Sequence, residues 1–76
     1  MIDTNNLGRK IAESRRHLRL TQSGLAEKVG VTAQAVSKWE QGRSCPDIAI
    51  LDEIADALGI SLFELLGMEE RNKSSS

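Results

Sequence analysis

Residues 22–39 read QSGLAEKVGVTAQAVSKW, and this stretch decides the fold. Apolar residues recur in its first half at the spacing of one helix face. Gly30 then stands where a helix would end, because glycine takes the left-handed backbone conformation most easily. Thr32, two positions later, is a good N-cap for a second helix. The pattern therefore predicts helices over about 22–29 and 33–40, joined by an abrupt turn.

The inner faces of these two helices determine how they cross. Ala26 stands at the expected crossing, where a large side chain would push the helices apart. In the second helix of the pair, either Ala35 or Val36 faces inward together with Trp39. The side chains expected to bury the crossing are Leu25, Val29, Val31, Val36 and Trp39. Such a pair is a helix-turn-helix, a motif whose second helix enters the major groove of DNA.

Further helices are predicted on both sides of this pair. Leu7, Ile11 and Leu18 recur at helical spacing, and Asn6 is expected to cap a first helix that runs to about Leu18. A fourth helix is expected after the loop of residues 41–46. Its cap is Asp47 and its apolar positions are Ile48, Leu51, Ile54, Ala55 and Leu58.

A short fifth helix is predicted near the end of the pattern. Ser61 and Glu64 form a capping box, in which each side chain serves the other residue's backbone N–H. Gly67 is expected to end this helix.

The composition agrees with a small helical domain. The chain has 76 residues, of which 39% are hydrophobic and 3% aromatic, so aliphatic side chains must fill one small core. We expect an all-α fold, a compact five-helix bundle that spans residues 6–67. The polar segment 68–76 is expected to be a disordered tail.

The charge is divided between two halves of the chain. Residues 1–45 carry eight basic against four acidic residues, a net +4, and residues 46–76 carry two against seven, a net −5. The basic half is a candidate for a polyanionic partner such as nucleic acid.

Chemistry-bearing residues are few, which excludes several classes of protein. Cys45 is the one cysteine and His17 the one histidine, so the chain alone can form neither an internal disulfide nor a closed four-ligand zinc site. No apolar run approaches the roughly 20 residues that span a bilayer. No apolar segment typical of a signal peptide follows residue 1, so we do not expect secretion. No catalytic set or Gly-rich phosphate loop is present. We therefore expect a reduced cytoplasmic protein without enzymatic activity, cofactor, metal or membrane contact.

A set of residues stands at fixed offsets along the chain. It comprises LTQ at 20–22, LA at 25–26, VGVT at 29–32 and VSKWE at 36–40, followed by Gly42 and Pro46. This pattern resembles the Cro/phage-repressor helix-turn-helix family, also called the xenobiotic-response-element (XRE) type. Residues 51–66 are similar to the fourth and fifth helices of that family. The resemblance implies a lambda-repressor-like DNA-binding bundle and a transcriptional regulator, in most members a repressor.

The resemblance assigns a DNA-reading role to the second helix of the pair. Its outer and leading face carries Thr32, Ala33, Gln34, Ser37 and Lys38. The Gln34 amide suits adenine N6/N7, and the Lys38 ammonium suits guanine O6/N7. The Ala33 methyl can touch a thymine methyl. Thr32 and Ser37 can donate to phosphate or to base edges, although Thr32 has the alternative role of a cap alone.

Other residues are expected on the DNA backbone. Gln22, at the start of its helix, is expected to hold a phosphate, aided by the free N–H groups and dipole of the helix N-terminus. Gly42 and Arg43, which follow the second helix of the pair, are expected to offer a backbone N–H and a cation to phosphate. Four further cations, Arg9, Lys10, Arg16 and Arg19, are solvated charges by default, with one or two phosphate contacts among them as the alternative.

Three residues have structural roles in the resemblance. Arg15 and Glu40 match the positions of an ion pair that ties the first helix to the third. Trp39 is expected in the core rather than as a stacking platform for bases. Gly24 departs from the family pattern, which has a helix former there, and glycine weakens a helix by about 0.5–1 kcal/mol relative to alanine.

The resemblance also implies assembly, because many members of the family bind operators as two-fold dimers. The apolar residues available for such a contact are Ile60, Leu62, Phe63 and Leu66, and Phe63 is the one expected at the surface. We expect a weak homodimer, formed by the loop before Asp47 and the fifth helix, on an inverted-repeat double-stranded DNA operator. The alternative is an antitoxin or protein-interaction module whose DNA binding is autoregulatory.

Overall fold

A computed structural model describes residues 3–67, and these residues fold into five helices and no strand. The helices are α1 (Thr4–His17), α2 (Gln22–Val29), α3 (Ala33–Glu40), α4 (Ile48–Leu58) and α5 (Leu62–Leu65). The predicted all-α, five-helix fold is therefore confirmed. The segment 68–76, predicted to be a tail, lies outside the described residues. None of the five helices is long and apolar enough to cross a membrane.

Short polar side chains cap the helices. The predicted N-caps accept a hydrogen bond from the backbone N–H three residues on, at 2.9–3.1 Å, and are Thr21, Thr32, Asp47 and Ser61. Each of these bonds satisfies one of the N–H groups that a helix leaves without an internal partner. The start of four helices is thus specified by the local sequence.

The cap of α1 differs from the prediction. Asp3 Oδ1 accepts from the N–H groups of Asn5 and Asn6 at 3.1 and 3.3 Å, so Asn6 lies inside the helix and its assignment as the cap was wrong. The apolar stripe begins only at Leu7, so it carries no information about the polar turn before it. A carboxylate is also a stronger acceptor than an amide at the positive end of a helix.

The capping box that opens α5 is only half formed. The Ser61 hydroxyl accepts from the Glu64 N–H as predicted. The Glu64 carboxylate does not reach back to Ser61 but lies 3.9 Å from Lys10 Nζ on α1. This pair is partly exposed, so it adds little stability.

The core contains aliphatic side chains from all five helices and the indole of Trp39, which is 6% exposed. Its members are Leu7, Ile11, Leu25, Ala26, Val29, Val36, Trp39, Leu51, Ile54, Ala55, Leu58 and Leu65. Val36 is buried and Ala35 only partly so, which settles the choice left open by the sequence. The core position of Trp39 is confirmed.

Three large apolar side chains remain at the surface. Phe63 is 64% exposed, as predicted. Leu18 and Ile48 belong to the apolar patterns that predicted α1 and α4, but they are 46% and 64% exposed. Leu18 follows the last residue of α1, and Ile48 is the first residue of α4. Helical spacing does not indicate this exposure, because both residues stand at a helix end, beyond the part of the helix that covers the core.

At Gly8, α1 closely approaches the backbone at the end of α3. A Cβ atom at Gly8 would lie 2.3 Å from the Trp39 carbonyl oxygen and 2.8 Å from that of Glu40. Both of these neighbours are backbone atoms, which cannot rotate away. Only glycine therefore allows α1 to pack this closely on the carboxyl end of α3.

We expect the substitution Gly8→Ala to destabilise the protein by about 1–3 kcal/mol, the usual cost of forcing extra atoms into a packed core. Thermal or urea unfolding measures this loss. Gly24→Ala is the matched control, because a Cβ there meets the side-chain atoms of Thr21 and Leu20 at 3.2 and 3.4 Å, and the gain in helix propensity offsets the contact. A Gly8→Ala protein as stable as wild type would contradict the close approach.

Candidate nucleic-acid interface

The turn between α2 and α3 is short and left-handed. Gly30 has φ 85°, and its N–H and that of Val31 both donate to the Ala26 carbonyl, at 2.8 and 2.9 Å. A Cβ at Gly30 would meet nothing within 4 Å, so the constraint on this residue is its backbone conformation and not space. After Val31, Thr32 caps α3 at once. The two helices are thereby held in the helix-turn-helix arrangement that the sequence predicted.

The outer face of α3 is open to solvent. Gln34 and Lys38 are exposed, stand one turn apart on the same face, and make no side-chain hydrogen bond within residues 3–67. Thr32 is exposed as well, but its hydroxyl accepts from the Ala35 N–H at 3.1 Å. Ala33 is half-buried and packs on the core, so less of it is available than the sequence suggested. The two long polar side chains are therefore the best placed to meet a partner.

A chain of side-chain hydrogen bonds follows the end of α3. Gln41 Nε2 donates to Ser37 Oγ at 3.0 Å, and Arg43 Nη1 donates to Gln41 Oε1 at 3.3 Å. All three groups lie at or near the surface. Gln41, which the sequence analysis did not single out, thus holds Ser37 and Arg43 relative to one another. Its position one turn after Ser37 was the available signal.

The backbone after α3 is less available than expected. The Gly42 N–H donates to the Trp39 carbonyl at 3.1 Å, and the Arg43 N–H donates to the Lys38 carbonyl at 2.9 Å. These two bonds are those of a Schellman motif, which closes the helix on itself. The Gly42 N–H, which was expected to meet a phosphate, is therefore already engaged inside the protein. The Arg43 guanidinium remains exposed.

The amino end of α2 has free donors. The Thr21 hydroxyl satisfies the Gly24 N–H, but the N–H groups of Gln22 and Ser23 have no acceptor within residues 3–67. Unpaired N–H groups at the positive end of a helix dipole favour an anion.

The Gln22 side chain is partly committed to the protein. Its Nε2 donates to Glu40 Oε1 at 2.9 Å, which leaves the second amide hydrogen and the amide oxygen unassigned. The amide that was expected to hold a phosphate is thus also bound to Glu40, which fixes its direction.

Arg15 and Glu40 form the predicted ion pair. Arg15 Nε donates to Glu40 Oε2 at 2.6 Å, and Nη2 donates to Oε1 at 3.1 Å, so the contact is bidentate. The third guanidinium nitrogen, Nη1, donates to the Leu20 carbonyl at 2.8 Å. The side chains are 11% and 8% exposed. With Gln22 included, this cluster joins α1, α2 and α3 around one carboxylate.

Acidic side chains gather on α4. Asp52, Glu53 and Asp56 are exposed on one face of that helix, which packs mainly against α2 and α5. The cations Lys38 and Arg43 lie on or just after α3. Within residues 3–67 no group of three His, Cys, Asp or Glu side chains could hold a metal ion.

Comparison with known proteins agrees with this geometry. The helix-turn-helix family model (HTH_3) matches residues 11–65, which is most of the chain. The chain therefore belongs to the helix-turn-helix family of DNA-binding transcriptional regulators. An uncharacterized HTH-type transcriptional regulator of Methanothermobacter thermautotrophicus is 49% identical over 49 residues, which are 64% of this chain and 71% of that protein.

Two phage repressors are also similar. The cryptic phage CTXphi transcriptional repressor RstR of Vibrio cholerae is 36% identical over 58 residues, which cover 76% of this chain and 52% of the repressor. The chain thus spans only about half the length of that relative. The P22 c2 repressor, solved in complex with a synthetic operator, has a TM-score of 0.79 and 32% identity over 83% of this chain and 96% of that one.

We expect Arg15 and Glu40 to depend on one another in their effects on the free energy of folding. Arg15→Ala should cost about 1–3 kcal/mol of folding free energy, because it leaves a buried carboxylate without its cation. In a double-mutant cycle with Glu40→Met and Arg15→Met, the double variant should lose less stability than the two single variants together. Chemical denaturation measures each corner of the cycle. Additive losses would mean that the two side chains do not stabilise one another.

Proposed function

We propose that this chain binds a specific double-stranded DNA operator through α3 and regulates transcription as a repressor. The observation that carries the proposal is the exposed pair Gln34 and Lys38 on the outer face of a short helix that Gly30 and Thr32 hold against α2. Membership of the helix-turn-helix family and the likeness to two phage repressors support it. A protein that acts on an operator works in the cytoplasm beside the DNA.

The base-reading residues in this proposal are on α3. Gln34 forms two hydrogen bonds with adenine, and Lys38 donates to guanine O6/N7. Both side chains are free to do so, because neither is engaged within residues 3–67. Ala33 offers a methyl group to thymine from its half-buried position. Thr32 and Ser37 contribute weaker contacts to base edges or phosphate, since each hydroxyl already accepts a hydrogen bond.

The phosphate-binding residues in this proposal are Gln22 and Arg43. The free N–H groups at the start of α2 and the second amide hydrogen of Gln22 suit one phosphate oxygen. Arg43 supplies a cation at the other end of the motif. Phosphate contacts give affinity and register, while base contacts give specificity.

We further propose that a homodimer binds an inverted repeat. The exposed Phe63 on α5 and Ile48 on α4 follow the DNA-reading motif in the sequence and are apolar enough to cover one another between two copies. Two copies place two α3 helices one helical turn of DNA apart, about 34 Å, and double the contact area. The contact is small, so we expect the dimer to be weak without DNA.

Base reading and phosphate contact are separated by comparing specific with random DNA. Gln34→Ala or Lys38→Ala should cost about 1–3 kcal/mol at the preferred site and relax specificity there. Gln22→Ala and Arg43→Ala should instead weaken binding to all sequences about equally. The preferred site comes from selection of bound duplexes out of a random pool, and a gel-shift titration measures the affinities.

The control is a comparison of the folded state, because Gln22 also contacts Glu40. Circular dichroism and thermal melting should show each variant folded at the temperature of the titration. If Lys38→Ala weakens random and selected duplexes equally, Lys38 is a phosphate contact. If wild type selects no sequence at all, the proposed function is wrong.

The dimer is tested by sedimentation with and without DNA. Phe63→Glu should reduce the two-copy complex on the selected duplex and leave the melting temperature nearly unchanged, because the side chain is mostly exposed. Phe63→Leu is the matched control, because it keeps an apolar side chain at the same exposed position. Selected sites that contain a single half-site, with one copy bound per duplex, would exclude the dimer but not DNA binding.

A further inference from the structure

The end of α1 differs from the ends of the other helices in one respect. Within residues 3–67, five residues have positive φ, and four of them are glycines that follow α2, α3, α4 and α5. The fifth is Arg19, with φ 60°, which follows α1. This chain thus places glycine after each helix except the first.

The backbone around Arg19 performs the same task as that around the glycines. The Leu20 N–H donates to the Arg15 carbonyl at 3.0 Å, as the Ile60 N–H does to the Ala55 carbonyl after α4. Both bonds are the long closing bond of a Schellman motif, whose left-handed residue is usually glycine. A side chain at that position is unfavourable, because its Cβ approaches the following carbonyl oxygen. The fold would therefore be more stable with glycine at position 19.

Within the described residues 3–67, the Arg19 guanidinium makes no ion pair or hydrogen bond that would offset this strain. The ion pairs of residues 3–67 are Lys10–Glu64 and Arg15–Glu40, and Arg19 donates no side-chain hydrogen bond there. It is exposed, and residues 14–26 carry three arginines and no acidic residue. No interaction within residues 3–67 thus explains why a long, charged side chain stands at position 19.

Arg19 lies close in sequence to the amino end of α2. It precedes the cap Thr21 by two residues and the free N–H groups of Gln22 and Ser23 by three and four. Three residues span at most about 10–11 Å of extended chain, and an arginine side chain reaches across much of that distance. A phosphate oxygen held at the amino end of α2 therefore lies within reach of the Arg19 guanidinium.

We infer that Arg19 contacts a DNA backbone phosphate next to the one held by the start of α2, and that the chain retains a strained arginine for this contact. The inference rests on the proposed function and adds a residue to it. A guanidinium is well suited to the task, because it presents several N–H donors to phosphate oxygens in a fixed plane. Stability and DNA affinity should then change in opposite directions when Arg19 is replaced.

The test compares wild type with Arg19→Gly, Arg19→Lys and Lys28→Gln. Arg19→Gly should melt a few degrees higher and bind the selected duplex and a random duplex several-fold more weakly. A plot of log affinity against log salt, between about 50 and 200 mM, should lose about one unit of slope. Arg19→Lys should keep the wild-type melting temperature, because the backbone cost is the same, and should keep most of the slope.

Lys28→Gln is the control for net charge. Lys28 is exposed near the other end of α2, so its loss should leave the salt slope near that of wild type. If Arg19→Gly binds as wild type does, or if it loses no more slope than Lys28→Gln, the inference is overturned and the proposed function stands. If wild type binds neither duplex, the proposed function fails and this inference fails with it.

Discussion

One largely buried carboxylate, that of Glu40, joins the helix-turn-helix to the rest of the bundle. It is the last residue of α3, where a negative charge faces the negative end of the helix dipole. Burial makes that position more unfavourable still. Arg15 from α1 neutralises the charge with two hydrogen bonds, and Gln22 from α2 adds a third. The interaction therefore joins α1, α2 and α3 in addition to their apolar packing.

The same cluster links stability to the candidate interface. The Gln22 amide is directed by Glu40, and the third nitrogen of Arg15 holds the Leu20 carbonyl in the segment that leads into α2. The largely buried pair Arg15 and Glu40 thus orients Gln22, which is partly exposed. A loss of DNA binding after substitution of Arg15 or Glu40 would accordingly report misplacement of α2 and not a lost DNA contact.

Much of the fold was predictable because it is specified locally. The caps Thr21, Thr32, Asp47 and Ser61 and the left-handed Gly30 depend on neighbours within three or four residues. The misplaced apolar residues have one cause, which is that periodicity carries no information on where the packed region stops. Leu18 and Ile48 fit their helical stripes and are nevertheless exposed. The approach of α1 to α3 at Gly8 involves residues distant in sequence, so no local pattern predicts it.

The exposed face of α3 was predictable in the same way, since Gln34 and Lys38 follow from helical spacing alone. The hydrogen bonds that engage the other candidate residues were not predictable, because they depend on how the backbone closes the end of α3. The backbone of Gly42 and Arg43 is used up in that closure, and Gln41 engages Ser37. The strained position of Arg19 likewise depends on where α1 ends, which the sequence placed only approximately.

The close approach at Gly8 has a consequence for how DNA preference could change over time. The carbonyl oxygens that exclude a side chain there belong to the last turn of α3. A larger residue at position 8 would therefore push this end of α3 away from α1 and tilt the helix. A tilted helix presents the same side chains to neighbouring base pairs at a different angle. On the proposed function, a substitution at position 8 would thus alter which operator is preferred without changing any residue proposed to contact DNA.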